Sequence, residues 1–240
     1  MRDRGSQTAE VVALFRALET LESPRVRLFA DPYAEGFLRG RGRLLLLLAR
    51  LPLIRRRIVR IIDRKWPGAR TSAVARTRLV DDLLRLALKN DARQVLILGV
   101  GFDARAYRIA EIATARVFEV DHPLTQAAKI RLIGRAAPHR AAVTHVPGSE
   151  LFFTYVHRGL LDGSLQFDGG AEILERVHEV GEPWTCGFEP REMPGYLAAR
   201  SFALLEDLSA DEYRGRYFGD AARSMKGYSF YRAVLARRTA

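Results

Sequence analysis

The hydrophobic pattern changes character once along the chain, near residue 90. Before that point apolar residues recur every three to four positions, the period of one helix face. The spacing predicts helices over 7–20 (QTAEVVALFRALET), over 43–65 with a break at Pro52, and over 71–88 (TSAVARTRLVDDLLRLAL). Proline breaks the second because it lacks the amide that an inner helical turn needs. Pro32 after Asp31 marks a turn, followed by a short helix ending at Gly40, and WPGAR at 66–70 marks another turn. The first seventy residues read as helical throughout.

After KNDAR the period shortens. QVLILGV (94–100) is an unbroken apolar run, as in a strand covered on both faces. A helix is expected over 105–113, a strand over 116–122, a helix opened by Pro123 over 123–136, and a third strand over 141–146. Strand and helix alternating in units of roughly 25 residues predict an open, mostly parallel sheet with helices on both faces. The remainder reads as a strand at 149–156, helices at 169–180 and 190–201, and a closing pair of strands at 202–209 and 228–237.

Composition narrows this picture. With 240 residues, 48% apolar and 28% charged, the chain is long enough to bury a substantial core in one structural unit. The pattern divides it into an N-terminal helical lid, 1–75, and an α/β core, 76–240. The single Cys186 excludes an intramolecular disulfide and fits a reducing, cytoplasmic setting. No signal peptide is read at the N-terminus. LLLLLARLPLI (44–54) is interrupted by Arg50 and Pro52 and is too short to cross a bilayer. A leucine run of this length is expected in a core or lid helix. The alternative, suggested by RRRIVRIIDRK at 55–65, is a basic amphipathic surface helix.

The net charge of +11 is almost all arginine, since lysine occurs only at 65, 89, 129 and 226. Such a surface can attract nucleic acid, anionic membranes or acidic substrates. Basic and aromatic residues are not interleaved as in single-strand binders, which argues against nucleic acid. No metal is expected.

The candidate chemistry lies in Gly99-Val100-Gly101-Phe102-Asp103-Ala104, directly after the first predicted strand. A dinucleotide is one ligand for such a turn: the glycine spacing satisfies the permissive fingerprint, and Asp121 stands where a ribose-binding acid belongs. S-adenosylmethionine is the other. Both offer a ribose, so Asp121 does not separate them. Asp103 separates them by charge: a carboxylate opposes a pyrophosphate by about 4 kcal/mol at ~4 Å in a medium of effective dielectric about 20, whereas it attracts an ammonium. Asp103 also suits a helix N-cap, and Asp121 a cap for the 123–136 helix.

LFADPYAEGFL (28–38), ARTRLVDDLL (75–84), QVLILGVGFDARAYRI (94–109), VFEVDHPLTQAAKIRLI (117–133) and GEPWTCGFEPREMPGYLAARSF (181–202) together resemble the leucine carboxyl methyltransferase-like family. The resemblance is to its bacterial branch, which includes polyketide carboxyl O-methyltransferases. It implies a Rossmann-like class I methyltransferase sheet with helices on both faces, an N-terminal helical lid, and S-adenosyl-L-methionine as cofactor. By the same resemblance Arg76 meets the cofactor's carboxylate, a task suited to a guanidinium fork. Gly99, Gly101 and Asp103 line the turn, and Asp121 holds the ribose hydroxyls. Glu119, two residues from Asp121 on one strand face, is read as structural, with a secondary cofactor contact as the alternative.

The chain departs from the family after residue 147. There AAVTHVP runs straight into GSELFF, and the stretch that contacts adenine, with the central strand after it, is wanting. Parallel strands need a crossover of about a dozen residues, so VPGS favours an antiparallel hairpin between 141–146 and 149–156. Strand exchange in a homodimer is another way to fill the gap.

The activity implied is methylation of a carboxylate or hydroxyl of a small organic or polyketide-like acid. No catalytic side chain is named, because a carboxylate nucleophile is already ionised. Arg16, Arg105 and Arg191 are unranked candidates for holding the substrate anion. Tyr155 and His157 are weighed as substrate contacts against core packing and solvent exposure. The rival readings are a non-catalytic relative that has lost cofactor binding, a nicotinamide-dependent oxidoreductase, and a basic membrane- or nucleic-acid-binding protein.

Overall fold

Two compact units divide the chain: Met1–Ile61 with Val80–Val143, and Ile62–Leu79 with Thr144–Ala240. The computed structural model describes residues 7–133, 148–179 and 181–239.

In the first unit, α1 (Gln7–Thr20) is the helix its period predicts. A 3-10 turn over Ala34–Phe37 precedes α2 (Gly40–Ala49) and α3 (Pro52–Lys65), which separate at Pro52 as expected; the last turn of α3, from Ile62, belongs to the second unit. The next helix, α4 (Ala69–Lys89), passes from one unit into the other. Its C-terminal half precedes β1 (Gln94–Leu98). Then come α5 (Arg105–Arg108), a 3-10 turn over Ala110–Thr114, β2 (Arg116–Val120) and α6 (Pro123–Ile133). β1 and β2 pair in parallel from Gln94↔Arg116 to Leu98↔Val120. Phe37 stacks on Phe102 at 4.8 Å between ring centroids, packing the 3-10 turn against the glycine turn. Leu88, Ile109 and Ile112 form a second apolar cluster. That cluster explains why the helix expected over 105–113 breaks in two: Ile109 is extended, with φ −91° and ψ 109°, and its side chain is buried.

The second unit is built on an antiparallel sheet of β3 (Glu150–Val156), β4 (Phe202–Ser209) and β5 (Tyr231–Arg238) in the order β3-β5-β4. The predicted closing pair of strands is β4 and β5, with an irregularity between Leu204 and Glu206. Helices α7 (Arg158–Leu161), α8 (Gly170–Glu179), α9 (Met193–Ala198) and α10 (Ala210–Phe218) complete it. Met193 and Leu197 of α9 pack on Tyr155, Val234 and Ala236 of the sheet. The pattern did not suggest α10, although its capping box is present in the sequence: Ser209 accepts from the Glu212 amide and Glu212 from the Ser209 amide.

The α/β class stands; among the described residues the strands form a two-stranded and a three-stranded sheet. The outer edges of the β1–β2 pair carry no third strand among the described residues. The predicted strand at 141–146, and with it the proposed hairpin, lies outside those residues; β3 itself pairs antiparallel with β5. The leucine run is a clear correction: Leu44, Leu47, Leu48 and Leu51 are exposed, and only Leu46 and Ala49 of α2 are buried. Neighbouring elements cover one side of this helix, and its leucines occupy both.

Candidate functional site

The turn after β1 is held by its own glycines and by β2. Gly99 and Gly101 have φ of 61° and 50°, a left-handed backbone that glycine adopts without steric cost. The Gly99 amide donates to the Val120 carbonyl at 2.8 Å, and the Gly101 amide donates to Asp121 Oδ2 at 2.5 Å. Asp121 Oδ1 accepts from the His122 amide at 2.6 Å. Asp121 therefore joins the ends of both strands and does not cap α6. Nothing lies within 4 Å of where a Cβ on Gly99 would stand. The bare backbone is open at the carboxyl ends of two parallel strands, where open α/β sheets bind their ligands.

Asp103 faces a different environment from the one expected. Its Oδ1 accepts from the Arg105 amide at 2.8 Å, and its Oδ2 pairs with the Arg105 guanidinium. Burial pushes its pKa up, but Arg105, Arg16 and Arg108 outweigh that and hold the carboxyl below its ordinary value. The carboxylate is thus neutralised within its own turn. The charge argument against a pyrophosphate loses much of its force, because Arg105 offsets the repulsion.

Behind the turn lies a charge cluster that the sequence did not reveal. Asp81, fully buried, accepts from Arg105 Nε at 2.8 Å and from both terminal nitrogens of Arg108 at 2.7 and 2.6 Å. Arg16 donates to Asp31 Oδ2 at 2.8 Å and to the Phe102 carbonyl at 2.6 Å. Three aspartates and three arginines thereby balance one another. The cluster was detectable in part: Asp81 falls on the apolar stripe of α4, four residues after Thr77 and seven before Leu88, all buried. An acid on such a stripe needs a buried cation. Beside the cluster, Lys129 and Glu119 form a buried pair at 2.7 Å. Burial pushes the Glu119 pKa up and the Lys129 pKa down, against their mutual attraction. Glu119 is structural, as expected.

The three anion-holding candidates differ in what they already pair with. Arg16 and Arg105 are committed to the cluster. Arg191 is exposed and forms no ion pair among the described residues. Tyr155 donates to Asp207 at 2.8 Å from a buried ring, and burial raises its pKa. His157 Nδ1 accepts from the Gly159 amide at 3.0 Å and caps α7. Both serve the second unit's packing. Gly99, Gly101, Asp103 and Asp121 are gathered in the first unit, whereas Arg76 lies in the second. There its guanidinium stands 5.3 Å from the Tyr231 ring centroid, with no carboxylate paired to it among the described residues. Among those residues no cluster of His, Cys, Asp or Glu suits a metal.

Bare glycine backbone, open at the ends of parallel strands and backed by an acid on the next strand, is the geometry with which open α/β sheets hold nucleotide cofactors. The leucine carboxyl methyltransferase family model matches residues 9–151. The chain belongs to that family, whose fold is the class I methyltransferase fold. It is 40% identical over 115 residues to a protein of Frankia alni named as a candidate S-adenosyl-L-methionine-dependent methyltransferase; the match covers 48% of this chain and 37% of that one. A similarly named protein of Streptomyces coelicolor is 37% identical over 139 residues, covering 57% of this chain and 46% of its own length. One of Mycobacterium tuberculosis is 35% identical over 127 residues, covering 48% and 37%. The matched region is less than half the length of each of these relatives.

Proposed function

We propose that the protein binds S-adenosyl-L-methionine over the Gly99–Asp103 turn and methylates a carboxylate, or a hydroxyl, of a small organic or polyketide-like acid. The observation that carries this reading is the open, left-handed backbone at Gly99 in a chain of this family. Each Asp121 oxygen accepts one amide and keeps a lone pair, so the side chain can take ribose hydroxyls without releasing the turn. Arg76, assigned to the cofactor's carboxylate by family resemblance, has no competing carboxylate among the described residues. The cofactor, when bound, supplies a methyl group on a cationic sulfur. The chain's part is to orient the accepting oxygen and exclude water. In this reading residues 1–75 cap the substrate and 76–240 carry the cofactor site. The setting is cytoplasmic.

Calorimetric titration of the full chain with S-adenosyl-L-methionine tests the proposal. Micromolar binding is expected; absence of heat at millimolar cofactor would sink it. Enhanced NADH fluorescence on mixing would instead favour a nicotinamide enzyme. One observation favours a second reading, a relative that no longer binds cofactor: Leu98 is 68% exposed on a strand that pairs, among the described residues, with β2 alone.

A further inference from the structure

We infer that α2 and α3 form an interfacial docking surface for anionic lipid bilayers. Leu44, Leu47, Leu48 and Leu51 recur at the spacing of one helical stripe and all face solvent, at 57%, 56%, 43% and 58% exposure. Leu53, at 79%, and Ile61, at 57%, are further exposed apolar residues on α3. Scattered exposed leucines need no explanation, but a contiguous run marks an interaction site.

Charge selects the partner. Residues 39–65 hold ten arginines and lysines and one acid, Asp63, so nine of the chain's net eleven positive charges lie in this stretch. Arg50 is paired with Glu35 and Arg55 with Glu22, all four residues in the first unit. Arg41, Arg43, Arg56, Arg57 and Arg60 are exposed and have no carboxylate partner among the described residues. Apolar side chains flanked by unpaired arginines match a surface of acyl chains beneath anionic headgroups, with arginine stems reaching up to the phosphates. A second copy fits poorly, because a two-fold contact sets the patch against itself and nine charges against nine. A nucleic acid would use the arginines and leave the leucines in water. Among the described residues no helix is long and apolar enough to cross a membrane, so the contact proposed lies along the surface.

Co-sedimentation of the full chain with vesicles tests this independently of cofactor binding. Affinity for phosphatidylglycerol-containing vesicles is expected to exceed that for pure phosphatidylcholine by at least about tenfold and to fall as salt is raised to ~1 M. The triple variant Leu44→Ser, Leu47→Ser, Leu51→Ser should lose about tenfold or more with an unchanged circular dichroism spectrum, since these side chains are exposed. Arg56→Gln with Arg57→Gln should weaken binding and its salt dependence. Failure of the wild type to bind either vesicle overturns the inference. Undiminished binding by the leucine variant also overturns it, since adsorption by charge alone, as on a nucleic acid, needs no leucines. A dimer seen by light scattering and dissolved by the leucine substitutions, without vesicle binding, would assign the face to a second copy.

Discussion

The amide of Gly101 donates to Asp121 Oδ2 at 2.5 Å across twenty residues of sequence. This bond fastens the turn after β1 to the end of β2, and Asp121 spends its other oxygen on the His122 amide. Asp121→Ala removes both acceptors and should cost about 0.5–1.5 kcal/mol in urea denaturation, the net range for a typical hydrogen bond, because the Gly101 amide is part-buried and the His122 amide reaches solvent. Cofactor affinity should fall by about tenfold or more, roughly the affinity change of 1.4 kcal/mol. A variant with unchanged stability and affinity would remove Asp121 from the site.

Gly99→Ala separates backbone strain from steric clash. The added methyl meets nothing within 4 Å, so only the left-handed φ of 61° opposes it, at roughly 1–2 kcal/mol. Thermal melts should show that modest loss, with a larger relative loss of cofactor binding. Equal cofactor affinity in the variant would mean that no ligand approaches this backbone.

Asp81→Ala should be among the most damaging single substitutions in the first unit. It leaves Arg105 and Arg108 buried without the acid that both clasp, and breaking a buried pair costs about 3–5 kcal/mol. Replacing Asp81, Arg105 and Arg108 together by apolar residues should cost less than Asp81→Ala alone. Comparison of denaturation midpoints checks this order.

Asp103 gives the first unit a defined acid sensitivity. Its folded pKa lies below the ordinary value of 3.8, so its stabilisation is fully present above that value and is lost as pH falls through the folded pKa. The stability difference between wild type and Asp103→Asn should be constant from pH 7 to about 5 and shrink below about pH 4. Urea titrations at each pH measure it. A difference that grew with acidification would contradict the assignment.

Much of the local structure was legible. α1 spans the residues its period predicts, α2 and α3 part at Pro52, and β1 and β2 fall within the two predicted runs. Gly99, Gly101, Asp103 and Asp121 were named from spacing, and the fold brings them together. The partners of Asp103 were less legible. Arg105 is two residues away and could have been weighed as its counterion, but Arg16 lies far back in the chain and nothing local announces it. The leucine run misled because hydrophobicity predicts burial only where another element arrives to cover it.

The sequence by itself determined the order of elements, the glycine turn and the family, because these depend on residues close in the chain: periodicity, proline breaks and a short motif. Only tertiary structure decided which charges are cancelled and which apolar stripe meets water. Asp81, Asp103 and Arg16 balance through contacts between distant segments, and whether Leu47 is covered depends on what packs beside it. Burial and neutralisation are properties of neighbours in space, and a linear pattern does not carry them.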